Sequence, residues 1–320
     1  MPQRSAKISI VGTGSIGTTV AYSLLLRHPG LELQLWNRDG RKAGARAFDL
    51  SHTGPSTEGG SIRSGSLEDT SGSDIVVLSS GVLPKEDGLR TDVLRDNVEV
   101  FRELVPALAQ RSGRAVFIVV TNPIDAMAYA ACRLAGLPPA QILGSGTVLD
   151  CQRLGGFMAE SLGLEASRIE ARVVGEHGDT MVPLWSQVSY EGRPLGDHLL
   201  ENGLVLDNQA KRSILERTRR AGWDIRQAGE HSCYGISYSV LRIIESILGY
   251  SRAPLTVSSL LSGERGYRGL CMSLPFMLDR GGRGEPLALV TSDEEEAALS
   301  LSAQALKAQM LAVDKLLGQC

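Results

Sequence analysis

Short apolar runs rich in valine and isoleucine recur through the first half of the chain, at residues 8–11, 31–36, 75–79, 115–120 and 142–143. Their apolar character is mostly continuous rather than alternating, which predicts strands covered on both faces, as in a parallel sheet between helical layers. The segments between them, such as 16–26 and 98–109, repeat apolar positions at helical spacing, so the first half reads as a doubly wound α/β sheet. After about Gly146 the pattern changes to longer amphipathic stretches, at 153–162, 207–226, 237–248 and 294–317. Two units are therefore expected, 1–146 and 147–320, the second of α+β type. The glycine-rich stretches 54–72 and 281–284 read as loops or hairpin connections.

Composition narrows the function classes. Lys and Arg total 33 against 36 Asp and Glu, a net charge of -3, which gives no electrostatic reason for nucleic acid or a membrane surface as partner. No apolar run reaches membrane-spanning length. The five cysteines are scattered and never in C-x-x-C spacing, which argues against a disulfide framework and against a metal site, and points to a reducing, cytoplasmic setting.

Gly12-Thr13-Gly14-Ser15-Ile16-Gly17 follows a predicted strand and opens a predicted helix. That context turns a G-x-G-x-x-G match into a dinucleotide-binding loop of a Rossmann domain. Gly12 allows the tight turn, Gly14 lets a pyrophosphate approach the backbone, and Gly17 lets helix and strand pack closely, with Ser15 and Ile16 at the positive helix end. An acidic residue at the end of the second strand would bind the ribose of NAD; this chain has Asn37 there, followed by Arg38. Loss of the carboxylate removes repulsion against a 2′-phosphate and a guanidinium can pair with it, so NADP(H) is favoured over NAD(H). The alternative keeps Arg38 as a solvated charge and Asn37 on the ribose of NAD.

Gly175-Glu176-His177-Gly178-Asp179 carries an accessible histidine between glycines, and histidine titrates near neutral pH. Asp150 and Arg153 lie three apart at the start of a helical pattern, hence on one face. An acid to orient the imidazole and a guanidinium to grip a carboxylate are thus both available.

With these segments the chain resembles the L-lactate and malate dehydrogenase family over essentially its whole length, most closely the lactate-type branch. Thr121-Asn122-Pro123-Ile124-Asp125, the run Gly144 to Arg153, and Gly175 to Asp179 followed by Val182-Pro183-Leu184-Trp185-Ser186 are similar to the family's ordered signatures. The resemblance implies that His177 exchanges the proton on the substrate oxygen, that Asp150 holds its tautomer, and that Arg153 binds the substrate carboxylate. It implies a polar contact from Asn122 near carbonyl and cofactor, and a lid arginine, Arg90, that polarises the carbonyl. It also implies a homodimer or homotetramer.

Two places depart from the family pattern. Pro84 stands where lactate-type members have Gln and malate-type members Arg, and Gly88 sits only two residues before Arg90. Ser232, in Glu230-His231-Ser232-Cys233-Tyr234-Gly235, stands where lactate-type members have Thr near the substrate side chain. An uncharged Pro84 with a small Ser232 leaves room for a side chain larger than methyl. The expectation is an NAD(P)-dependent oxidoreductase interconverting a 2-oxo acid and an L-2-hydroxy acid of nonstandard side chain. The rivals are a biosynthetic reductase of an imine or larger oxo acid, a malate dehydrogenase, and a noncatalytic nucleotide sensor.

Overall fold

The computed structural model describes residues 5–53, 59–82 and 90–318, the side chains of 90–92 excepted. Six parallel strands form its first half: β1 (Lys7–Val11), β2 (Glu32–Trp36), β3 (Ser61–Ser64), β4 (Ile75–Leu78), β5 (Val116–Val119) and β6 (Ile142–Gly144). Their order in the sheet is β3-β2-β1-β4-β5-β6, which reverses direction of progress between β1 and β4. In open α/β sheets ligands bind at the carboxyl ends of the strands beside such a reversal. Between the strands run α1 (Ser15–Arg27), α2 (Gly40–Ser51), α3 (Arg90–Arg111) and α4 (Ile124–Ala135).

The continuous apolar runs are strands because both of their faces are covered. Every residue of β4 and β5 is buried, and Ile8, Ile10, Ile75, Leu78, Phe117 and Ile118 lose all exposure. Each such side chain contributes roughly 1.5–3 kcal/mol by leaving water.

The second half supplies α5 (Val148–Leu162), β7 (Ile169–Glu170), β8 (Val173–Val174), β9 (Val182–Pro183), β10 (Ser189–Tyr190), β11 (Arg193–Pro194), α6 (Leu195–Glu201), α7 (Asn208–Gln227), α8 (Tyr234–Leu248), β12 (Leu255–Ser262), β13 (Arg268–Asp279), β14 (Gly282–Pro286) and α9 (Asp293–Leu317). The helical stretches read from the sequence are there, and between α8 and α9 β12 to β14 continue the large sheet antiparallel beyond β6, making nine strands among the described residues. Likewise the stretch 54–72 is not all loop, since β3 pairs with β2 inside it. The covering helices pack in two groups, α1 with α2 and α8, and α4 with α3 and α9. A two-stranded ribbon of β8 and β9 holds the 175–181 loop, which Gly175 ties to Ser273 of β13 through paired backbone bonds. Among the described residues no helix is long and apolar enough to cross a membrane.

Candidate active site

The glycine loop sits where β1 ends. Gly12 has φ +107°, a conformation that L side chains rarely adopt, and a Cβ there would lie 2.6 Å from the backbone nitrogen of Ser80, past the end of β4. A Cβ on Gly17 would meet the Gly12 carbonyl at 1.9 Å, so the helix packs on its own entry turn only without a side chain. Gly14 has open space around its Cβ direction and is the N-cap of α1. No side chain caps that helix and no acidic residue lies in its first turn. The free N–H groups, the positive helix end and the uncovered glycine together fit a pyrophosphate, so the residues present suit a nicotinamide dinucleotide.

Asn37 is engaged within the chain. Its amide nitrogen donates to Thr13 Oγ1 at 2.9 Å and its oxygen accepts from Asp39 N–H at 3.0 Å, bracing the end of β2 against the glycine loop. Asp39 caps α2 by accepting the Arg41 N–H. Arg38 is exposed and has no partner among the described residues.

Asp150 and Arg153 project from the first turns of α5, and His177 reaches them from the β8–β9 loop. His177 Nδ1 is 2.6 Å from Asp150 Oδ2, and Asp150 is fully buried. A carboxylate can only accept here, so Nδ1 carries the proton and Nε2 is left for exchange with a ligand. Burial works against the imidazolium, but the charge and hydrogen bond of Asp150, with Asp125 as a further negative group, outweigh it and raise His177 above the ordinary histidine value. Arg153 Nη1 lies 3.5 Å from Asp150 Oδ1 and Nη2 donates to Ser232 Oγ at 3.5 Å. Both contacts are long, so the guanidinium is oriented while its donors stay available for a bidentate carboxylate.

Asn122 is exposed after β5. Its carbonyl accepts from Asn97 Nδ2 at 2.8 Å, and its side chain has no partner among the described residues. Arg90 opens α3, whose first-turn side chains are not described, and Pro84, Lys85 and Gly88 lie outside the described residues.

Four supporting residues carry no role in the sequence reading. Asn97 ties α3 to the segments that follow β4 and β5, accepting the Val82 N–H at 2.7 Å while donating to the Asn122 carbonyl. Glu176 accepts from Thr180 N–H and from Gln309 of α9, fixing the histidine loop to that helix. Gly222 on α7 faces Arg153: a Cβ there would be 3.8 Å from Nη2, so no side chain fills this part of the pocket. Asp125 is fully buried and accepts the His177 N–H at 2.8 Å. Asp125, in the Asn122-Pro123 turn, and Glu176, beside His177 in its signature, had local signals; Asn97 and Gly222 depend on contacts between distant segments.

Comparison with known proteins places these features in a family. Residues 6–144 match the lactate/malate dehydrogenase NAD-binding domain, and residues 147–316 the lactate/malate dehydrogenase alpha/beta C-terminal domain. An L-lactate dehydrogenase of a Synechococcus strain is 36% identical over 301 residues, covering 94% of this chain and 97% of that protein. One from Clostridium perfringens is 32% identical over 305 residues, covering 95% and 96%. Among solved structures, the minor L-lactate dehydrogenase from Enterococcus mundtii superposes with TM-score 0.90 at 30% identity, covering 97% of this chain and 99% of that one. The malate dehydrogenase of Cryptosporidium parvum does so with TM-score 0.90 at 27% identity and the same coverage.

Proposed function

The chain belongs to the lactate/malate dehydrogenase family and is a nicotinamide-dependent oxidoreductase of 2-oxo and 2-hydroxy acids, and we propose that its substrate has an uncharged side chain larger than methyl and that NADP(H) is preferred to NAD(H). The observation that carries the chemistry is the convergence of Asp150, His177 and Arg153 from two distant segments on one pocket.

In this reading residues 1–146 hold the cofactor and 147–320 the substrate. Arg153 takes the substrate carboxylate through two parallel charge-assisted hydrogen bonds, which fixes the carbonyl in one orientation. The glycine loop, residues 12–17, would hold the reduced cofactor, which would supply hydride to the carbonyl carbon. His177 Nε2 gives its proton to the carbonyl oxygen, and Asp150 stabilises the imidazolium beforehand and holds the neutral ring's tautomer afterwards. Arg90 polarises the carbonyl from the head of α3, and Asn122 makes a polar contact between carbonyl and cofactor. Gly222 and the small Ser232 leave the volume for the larger side chain, and the sequence puts an uncharged proline at position 84.

Arg38, exposed and without a partner among the described residues, supports the cofactor preference, because the position two residues before the Asp39 cap carries an amide and not a carboxylate. The test is a panel of 2-oxo acids graded in size and charge, with cyclic imines, assayed with each reduced cofactor. Expected is the highest kcat/KM for an uncharged side chain of intermediate size with NADPH. Arg38→Ala should reduce the NADPH-to-NADH ratio of kcat/KM by about 10-fold or more, as for loss of a charge-assisted contact. Best turnover of a dicarboxylic oxo acid, or a ratio indifferent to Arg38, contradicts the respective half of the proposal.

A second copy of the chain is the partner we propose. Phe48 on α2 is 69% exposed and Tyr234 on α8 80%, with Tyr22, Leu26 and Tyr238 also exposed on α1 and α8, helices that pack together. Large apolar side chains gathered on one set of helices are the mark of a surface that is covered in use. Sedimentation should give a dimer or tetramer, and Phe48→Glu combined with Tyr238→Glu should shift it toward monomer; a parent that sediments as a monomer at micromolar concentration removes the idea.

A further inference from the structure

The chemistry above uses one carboxylate, Asp150, on the ring of His177. A second stands behind the same residue. Asp125, in the first turn of α4, is 2% exposed and accepts the His177 N–H through Oδ2 at 2.8 Å. Its other oxygen has no partner among the described residues. The Ser258 hydroxyl of β12 faces the carboxyl without an aligned hydrogen bond, and Ser258 and its register partner Ser273 of β13 are themselves buried and unpaired.

No lysine or arginine pairs with Asp125 among the described residues. The charged or titratable groups around it are His177 and Glu176 on the loop and Cys271 on β13, with Asp150 and Arg153 of α5 on the far side of the imidazole. α9 contributes neutral Ser302 and Gln309 by way of Glu176, and α3 neutral Asn97 by way of the Asn122 carbonyl. Among the described residues His177 is therefore the group that can offset a charge on Asp125 at close range.

We propose that Asp125 is a second positioning acid for His177: through the backbone it fixes the loop, and through its charge it favours the imidazolium. This rests on the reading of His177 as the proton donor. A buried acceptor for one N–H does not need to be ionisable; an amide or hydroxyl would serve without the cost of burying a charge. Burial raises the Asp125 carboxyl to about 6, only partly opposed by Ser258 and the His177 N–H, which brings it toward an imidazole that is itself held above its ordinary value. The two groups then titrate as a coupled pair, each charge favouring the other. The sign follows directly. Removing the Asp125 charge lowers the pH up to which His177 keeps its proton, and 2-oxo acid reduction, which uses that proton, fails at lower pH than in the parent enzyme.

Asp125→Asn keeps an oxygen to accept the His177 N–H and removes the charge; Asp125→Ala removes both. The His177 imidazole is followed by NMR in the full chain labelled with 15N-histidine, its signal assigned by its loss in a His177 variant, alongside kcat/KM against pH and the thermal midpoint. In Asp125→Asn we expect the imidazole to titrate at lower pH, the alkaline limb of reduction to move down with it, and activity on the acid side to stay within about threefold of the parent. In Asp125→Ala we expect roughly a tenfold or greater loss of kcat at every pH, because the loop is no longer held. An unshifted imidazole titration in folded Asp125→Asn, or parental kcat in Asp125→Ala, overturns the proposal. Should neither variant fold, the parent decides alone: the His177 signal must carry a second inflection near pH 6, and its absence refutes the coupling. If the parent turned over no 2-oxo acid, the functional reading would fail while the imidazole titration still judged Asp125.

Discussion

Replacing His177 by alanine should lower kcat/KM for 2-oxo acid reduction by about a thousandfold, within the range of a lost general acid, while cofactor affinity stays near that of the parent. Among the described residues His177 Nε2 is the source we propose for the proton. Nδ1 is committed to Asp150 at 2.6 Å, Arg153 cannot give up a proton at working pH, and Asp150 is fully buried behind the ring. The pH dependence has opposite signs in the two directions. Because His177 is held above the ordinary histidine value, reduction runs with the imidazolium and falls as pH rises through that elevated value; oxidation of the hydroxy acid needs the neutral ring and rises over the same interval. Stopped-flow and steady-state rates in both directions measure this. Parental reduction rates in His177→Ala across every active oxo acid would remove His177 from the mechanism.

Arg153→Lys should raise KM for 2-oxo acids and lower kcat/KM by about 10²- to 10³-fold, although charge is conserved. A planar guanidinium offers two parallel donors to a carboxylate, whereas an ammonium offers a point charge on a flexible stem and loses both a bond and the orientation it imposes. Hydrogen bonds to charged groups contribute about 1.5–3 kcal/mol each, and misorientation of the carbonyl adds to that loss. The side chain is already aimed: it is only 15% exposed and touches Asp150 and Ser232 at 3.5 Å, the limit of a hydrogen bond. An aldehyde of similar size without a carboxylate is the control, and its slow reduction should be equal in parent and variant. Equal losses for aldehyde and oxo acid would mean that Arg153 serves the fold and not the carboxylate.

The same helix turn explains why part of this site was readable in one dimension. Asp150 and Arg153 are three residues apart on a helix, so their shared face follows from helical periodicity alone, and the glycine loop follows from steric limits on a strand–turn–helix junction. The extended strands of the first half were legible for a similar reason: a run of apolar residues too short for a helix and bounded by turns must be covered on both sides. Strands β12 and β13 were not, because their buried faces carry Ser258, Ser259 and Ser273, whose polarity breaks the apolar run.

What the sequence determined by itself is local: five of the six parallel strands of the first half, the turn with its three glycines after β1, the helix face bearing Asp150 and Arg153, and the identity of the loop histidine. The tertiary structure decided which distant groups meet. It extended the sheet with β12 to β14, committed Asn37 to Thr13 while Arg38 stayed without a partner among the described residues, put Gly222 beside Arg153, and set Asp125 against the backbone of His177. The physical reason is that steric and periodic constraints act over a few residues and are written in the order of the chain, whereas charge coupling, burial and cavity shape depend on separations in space that the chain order does not record.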